Sequence, residues 1–439
     1  MSTLNIQNIH DKLKKADTLK INGKITQVIG LVLEATGLKA AIGELCKIIS
    51  KNEQISIDAE IVGFREGKAL LMPLGDLRGI GPGSKVISTG REFKIPVGED
   101  LMGRILDGLG NPIDNKGPLK AKKFYSVYRS PSDPIMRKRV EESISTGIRA
   151  IDGCLTIGKG QRIGIFSGSG IGKSVTLGMI ARNTSADVNV IALVGERGRE
   201  VRDFIEKDLK IEGLRRSVVV AATSDQPALI RRMGAFVATS IAEYFRDAGH
   251  DVMLMMDSVT RFAMAQREIG LAIGEPPTTK GYTPSVFALL PQLLERAGTS
   301  PDKGTITGLY TVLVEADDLN EPISDSVRAI LDGHIVLSRQ LASQNHYPPI
   351  DILDSVSRCM IDIVTPEHKN LANKLKETIA TYKNAEDLIN IGAYVNGSNP
   401  AIDYAIKKMP QIKKFLIQNI EEKTDYQDTI QSLNELFND

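Results

Sequence analysis

Tryptophan is absent from this chain of 439 residues, cysteine occurs three times and histidine five times. Cys46, Cys154 and Cys359 are odd in number, far apart and in no metal-ligand spacing. That pattern speaks against a disulfide framework and reads as reduced thiols of a cytosolic protein. His10, His250, His334, His346 and His368 form no close pair, which argues against a structural zinc site. No apolar run reaches the roughly 18 residues that a membrane-spanning helix needs. Met1 to Lys20 is polar, and Lys12, Lys14 and Lys15 break any signal-peptide core. An excess of either charge is also missing, with 55 basic against 54 acidic residues and a net charge of +1. A chain built to hold nucleic acid carries a basic excess or a basic patch. The balance argues for no nucleic-acid partner and leaves local patches open.

What is present is ordinary for a globular protein, with 42% apolar and 25% charged residues. The length calls for more than one core, and four segments stand out. Residues 1–20 carry Ile6, Ile9 and Leu13 at helical spacing, which fits an amphipathic helix or a loose terminal turn equally well. Residues 21–95 are rich in β-branched residues between glycine turns, at Gly23 to Leu33, Ile55 to Val62 and Ala69 to Met72. Short strands at that spacing predict a small antiparallel barrel. Residues 96–365 alternate apolar strands with helical stretches. The candidate strands are Arg162 to Phe166, Val188 to Val194, Ser217 to Ala222, Val252 to Met256, Thr305 to Val314 and His334 to Leu337. Continuous apolar runs separated by helices predict an α/β core with a mostly parallel sheet covered on both faces. Residues 366–439 read as a helical domain. Leu371, Leu375 and Ile379 form one stripe, Pro410 is expected to interrupt the chain, and Ile412, Phe415, Leu416 and Ile420 share a last helical face.

The chemistry concentrates after the strand Ile163 to Phe166. There Ser167-Gly168-Ser169-Gly170-Ile171-Gly172-Lys173-Ser174 runs into a helical stretch from Val175 to Arg182. Strand, glycine-rich loop and helix are the context of a phosphate-binding P-loop. The loop folds its N–H groups inward as an anion nest, and the helix start adds its positive dipole end. Ser169, Gly170, Ile171, Gly172, Lys173, Ser174 and Val175 are the candidate phosphate contacts. Lys173 would reach the β- and γ-phosphates of ATP, and Ser174 would place its hydroxyl on Mg²⁺. The strict pattern asks for glycine where Ser167 stands. Met253 to Met256 followed by Asp257 has the form of a buried strand whose terminal carboxylate supports the metal. Val190 to Val194, then Gly195 and Glu196, offers a carboxylate at a strand tip to orient water. From the residues alone a solvated loop glutamate is an equal alternative there, and Glu200 is a competitor.

Three further stretches carry a resemblance. Thr146-Gly147-Ile148-Arg149-Ala150-Ile151-Asp152-Gly153, Gly195-Glu196-Arg197-Gly198-Arg199-Glu200-Val201 and Tyr347-Pro348-Pro349-Ile350-Asp351-Ile352-Leu353-Asp354-Ser355-Val356-Ser357-Arg358 resemble the catalytic subunits of rotary ATPases and type III export ATPases. Val97 to Gly110 is similar to the same superfamily, and the likeness runs in order from about residue 20 to the end. Gly281 to Ala288 and Leu388 to Asp403 resemble the export branch, the latter its flagellum-specific members more than the virulence-secretion ones. In that family a small residue at the position of Ser167 is usual. The resemblance implies a RecA-like P-loop core between an N-terminal β-barrel and a C-terminal helical domain. It implies Glu196 as the catalytic glutamate, Arg197 as its basic neighbour, Arg358 as an arginine finger acting on an adjacent subunit, and Tyr347 as the aromatic packed on adenine. It further implies a homohexamer, a coiled-coil stalk protein in the ring and a regulatory protein on the N-terminal helix. Export-gate membrane proteins, export substrates and chaperones are the other implied partners, met by a cytoplasmic protein at the inner membrane. A virulence secretion ATPase is the nearest rival reading. A synthase subunit, a non-catalytic nucleotide-binding subunit and an RNA helicase are further ones.

Overall fold

Glycine at a tight turn decides the first topology. The stretch from Gly23 to Leu33 is two strands: the chain reverses at Gly30, whose φ of +56° suits a residue without a Cβ. This closes the hairpin of β1 (Asn22–Ile29) and β2 (Val32–Thr36), with Ile29 opposite Val32. Four more strands follow: β3 (Glu44–Ile49), β4 (Ser56–Arg65), β5 (Lys68–Pro73) and β6 (Lys85–Glu92). They close an antiparallel barrel in the order β1-β2-β5-β4-β3-β6. Closure leaves no unpaired edge. Alternate side chains such as Ile25, Leu33, Ile48, Ile61, Leu71 and Val86 fill the interior. The computed structural model describes residues 22–301, 304–314 and 318–437, so the helix expected for residues 1–20 lies outside the described residues. The chain divides into two units, one up to Phe93 together with Leu271–Glu275, the other Lys94–Gly270 with Pro276 onward.

The second unit is built on an eight-stranded sheet. Its strands are β7 (Ile105–Asp107), β8 (Arg162–Ser167), β9 (Val188–Val194), β10 (Ser217–Ala222), β11 (Val252–Asp257), β12 (Ile306–Leu313), β13 (Gly333–Leu337) and β14 (Ile350–Ser357). Their order is β14-β13-β8-β12-β11-β9-β10-β7. All pairs are parallel except β13 with β14. Every residue of β9, β10 and β11 is buried, as strands covered on both faces require. The apolar helix Ala228–Asp247 packs on these three strands.

Three helices end the chain: α1 (Pro366–Asn390), α2 (Pro400–Leu416) and α3 (Tyr426–Glu435). Thr365 caps the first through the His368 N–H, and Asn399 caps the second through Ala401 and Ile402. The expected break at Pro410 does not occur, for α2 runs through it. A mid-helix proline costs about 3 kcal/mol. Burial of Ile412, Phe415 and Leu416 against the sheet's own core cluster offsets that cost. Ile420 falls beyond the helix end and is exposed, so it does not belong to that face. Of the other stripe, Leu375 is fully buried, while Leu371 and Ile379 pack half-buried against the core.

One buried carboxylate organises the turn before the helix Arg149–Cys154. Asp152 accepts hydrogen bonds from the Ser145 hydroxyl (2.8 Å), the Thr146 N–H and hydroxyl (2.8 and 2.7 Å) and the Gly147 N–H (3.0 Å). Burial raises its pKa against these four donors. Asp152→Ala leaves several of them buried without an acceptor and is expected to destabilise the protein by about 3 kcal/mol. Chemical denaturation measures this; a loss below about 1 kcal/mol would contradict the network's role.

Candidate active site

In a parallel sheet all carboxyl ends share one edge, and ligands gather there. At that edge β8 ends in Ser167, which is buried and accepts the Val314 N–H through its carbonyl at 3.0 Å. The enclosure accounts for a small side chain at this position. The loop then turns at Gly170 and Gly172, whose φ of +78° and +107° are left-handed. Gly172 caps a helix spanning Lys173–Asn183. Ile171 is buried and pins the loop, Ser169 and Gly170 are exposed, and Ser174 and Val175 lie half-buried in the first turn.

Lys173 points to two strand tips. Its Nζ lies 2.5 Å from Oδ1 of Asp257, the last residue of β11, and 3.6 Å from Oε1 of Glu196, just past β9. The Thr311 hydroxyl on β12 donates to the same Asp257 oxygen at 2.8 Å. The register explains the convergence: β9 and β11 are neighbours, with Leu193 opposite Asp257. Burial alone would lower the Lys173 pKa, but the Asp257 and Glu196 charges outweigh it and raise it. Glu196 is pushed up to about 7, chiefly by burial and then by the Asp257 charge. Its Oε1 is buried without a hydrogen-bond partner. Glu200, the competitor in sequence, is bonded to Glu196, which lowers its own pKa.

Arg197 stands apart from this cluster. It precedes the helix Gly198–Asp203 in an extended conformation, is largely exposed, and pairs with Glu200 at 3.4 Å. Sequence reasoning missed Arg261, four residues past Asp257. Its side chain packs on Gly195, where an added Cβ would come within 2.9 Å of it, and its Nε is buried without a partner. A cation one helical turn beyond the carboxylate of β11 was the available signal. Thr311 was missed as well, and only strand pairing brings it to Asp257.

Tyr347 and Arg358 flank the antiparallel strand and part company. The Tyr347 ring lies against the loop, 3.7 Å from where a Cβ on Gly172 would stand, and is 41% exposed. Leu337 pairs with Ile350 at this edge, whereas Gly333 pairs with Ser357 at the other. Four residue rises of β13, roughly 13 Å, separate the two levels. Arg358 is therefore held at the far edge, donating its N–H to the Asp332 carbonyl at 3.0 Å and its Nη1 to Leu331 at 3.3 Å.

Residues 25–90 match the beta-barrel domain of the ATP synthase alpha/beta family, residues 147–357 its nucleotide-binding domain, and residues 364–435 the C-terminal domain of the type III secretion ATPase EscN. The flagellum-specific ATP synthase of Bacillus subtilis is 55% identical over 98% of each chain. The type 3 secretion system ATPase of Xanthomonas euvesicatoria is 48% identical over 95% of this chain and 94% of its own. The chain belongs to the flagellar and type III secretion ATPases. The assembled ATPase EscN of enteropathogenic E. coli superposes with a TM-score of 0.89 at 49% identity, covering 94% of this chain and 99% of that one. This export ATPase thus has the three-part architecture expected of it: barrel, nucleotide-binding sheet and terminal helices.

The raised pKa of Glu196 has a consequence for stability. The folded state holds that proton more tightly than the unfolded chain. Its contribution is full below the ordinary carboxylate pKa and is lost as pH rises through about 7. Glu196→Gln should match the wild type near pH 5 and exceed it by about 2–3 kcal/mol at pH 8. Denaturation at a series of pH values checks this; a difference independent of pH would contradict the shift.

Proposed function

We propose that six copies of this chain form a ring that hydrolyses ATP at its subunit interfaces and energises protein export through the flagellar type III apparatus. The observation that carries this is the division of the site. Lys173, Glu196 and Asp257 converge on one sheet edge, while Arg358 sits on the other. A finger at the far edge serves a neighbouring chain's nucleotide, and a ring gives each chain such a neighbour. The assembled form of the relative EscN supports a ring.

In this reading the backbone from Ser169 to Val175 cradles the phosphates, and Lys173 exchanges its carboxylate partners for phosphate oxygens. Magnesium fits the donor set at hand. The Ser174 hydroxyl opens the helix after the loop, and the Asp257 carboxylate is steadied by Thr311. Oxygen donors of this kind suit a hard cation. When bound, the ion would neutralise charge on the β- and γ-phosphates. Glu196 orients the attacking water and takes its proton, for which a pKa near 7 is well placed. Tyr347 offers its exposed ring to adenine, and Arg358 stabilises charge developing on the transferring phosphoryl group. Arg197 lies nearby on the surface, where a facing subunit can meet it.

The flagellar branch is favoured because the flagellum-specific relative of Bacillus subtilis, at 55% identity, exceeds the 48% of the type 3 secretion system ATPase of Xanthomonas euvesicatoria and the 49% and 52% of two solved type III secretion ATPases. A central stalk within the ring follows from the EscN complex with its stalk EscO. Exposed Leu388, Ile391 and Val395 at the end of α1 are apolar surface suited to such a partner. A regulator on residues 1–20, export-gate proteins, and substrates with their chaperones complete the proposal, at the cytoplasmic face of the inner membrane. No helix among the described residues is long and apolar enough to cross a membrane.

Lys173→Ala is expected to abolish hydrolysis. Arg358→Ala should lower kcat by about 10³-fold while nucleotide binding stays within a few-fold. For the wild type, kcat/KM should rise with pH through an ionisation near 7, since the carboxylate form of Glu196 is the active one. Steady-state kinetics with a fluorescent-nucleotide binding assay checks all three. Wild-type turnover in Lys173→Ala would refute the site, and lost binding with normal turnover per bound ATP in Arg358→Ala would refute the finger.

A further inference from the structure

We infer that Gln418 is a positioning residue for the adenine end of the site, holding Tyr347 against the phosphate loop from the terminal helical region. The inference rests on the reading of Tyr347 as the base platform. Gln418 follows the end of α2 and is 2% exposed. Its side chain is pinned to the turn that Asp152 organises. Oε1 accepts the Arg149 N–H at 2.9 Å, and Nε2 donates to the carbonyls of Gly147 (2.8 Å) and Glu422 (3.0 Å). One amide orientation satisfies this set, because flipping it would set an NH₂ against an N–H and an oxygen against two carbonyls. With the side chain fixed, the backbone N–H of Gln418 donates to the Tyr347 carbonyl at 2.9 Å.

The pin is reinforced from the same turn. Arg149 donates Nε to the Phe415 carbonyl at 2.8 Å and Nη2 to the Ile417 carbonyl at 2.6 Å, and pairs with Glu422. Arg182, in the helix that begins at Lys173, donates to the Ile420 carbonyl at 2.7 Å. The segment after α2 is thus locked to the phosphate-binding helix and to the Gly147–Arg149 turn, and it carries the Tyr347 backbone with it. The hydrogen bonds of Gln418 reach neither the phosphate-binding loop nor the carboxylates, so its own effect on the site passes through Tyr347.

Gln418→Leu removes every side-chain hydrogen bond, including a longer one from Nε2 to the Thr424 hydroxyl at 3.4 Å. KM for ATP should rise about tenfold, the effect of one lost anchoring interaction, with kcat within twofold. Inhibition by inorganic tripolyphosphate, which has phosphates and no base, should be unchanged. Tyr347→Ala should show the same pattern, and adding Gln418→Leu to it should raise KM no further. If Tyr347→Ala leaves KM for ATP unmoved, the base-platform reading itself fails. If Tyr347→Ala raises KM and Gln418→Leu does not, or if tripolyphosphate weakens equally, the positioning role is overturned. Gln418→Glu, which keeps the acceptor for Arg149 and loses both donors, is the second variant and should also raise KM. Failure of both variants to fold would overturn the inference, since the bonds would then serve the fold rather than the base.

Discussion

The Lys173 ammonium between Asp257 and Glu196 is the interaction on which the rest of the site depends. Three charged groups meet where little water reaches, and their net charge is negative. Removing one partner of such a buried pair leaves an uncompensated charge. The strain is relieved at Glu196, whose proton is held to about pH 7. That arrangement is costly as architecture and useful as chemistry. A lysine already desolvated and aimed by two carboxylates needs little reorganisation to meet a phosphate. A glutamate poised near neutrality can hold or release a proton as charge arrives. The parallel sheet supplies the geometry at no further expense, because β8, β9, β11 and β12 all end at one edge.

The antiparallel β14 is the second constraint. It carries Tyr347 ahead of its start and Arg358 after its end, so a single strand sends the two residues to opposite edges of the sheet. The fold that places an aromatic ring beside its own phosphate loop thereby denies that loop its own arginine. Under the proposed function, dependence of hydrolysis on a neighbour then follows from topology. The terminal helices enter the same logic: through Gln418 and Arg149 they hold the chain that bears Tyr347.

Local features were legible in the sequence, and distant ones were not. Strands β9 and β10 appear with the bounds their apolar runs predict, and the loop from Ser167 to Ser174 has its strand before it and its helix after it. Glu196 could not be told from Glu200 by pattern, because only pairing of β9 with β11 brings one of them to Lys173. Strands β3, β6, β7 and β14 escaped notice. β14 pairs with β13 through an irregular register between His334 and Val336, which erases the alternation that marks an edge strand. The helix through Pro410 defeats a local rule because packing outweighs it. Gln418 was invisible for a different reason. Its hydrogen bonds reach Gly147 and Arg149, some 270 positions away, and nothing in a glutamine's neighbours announces such a contact.

The central claim is that one functional site is divided between two chains. Mixing separately inactive Lys173→Ala and Arg358→Ala subunits tests it most directly, with ATPase activity measured after co-assembly. In a random equimolar ring about a quarter of the interfaces join an intact phosphate loop to an intact arginine. The account predicts that the mixture recovers activity toward that fraction of the wild type. A mixture no more active than its two components would mean that Arg358 serves its own chain, or none, and would contradict the account.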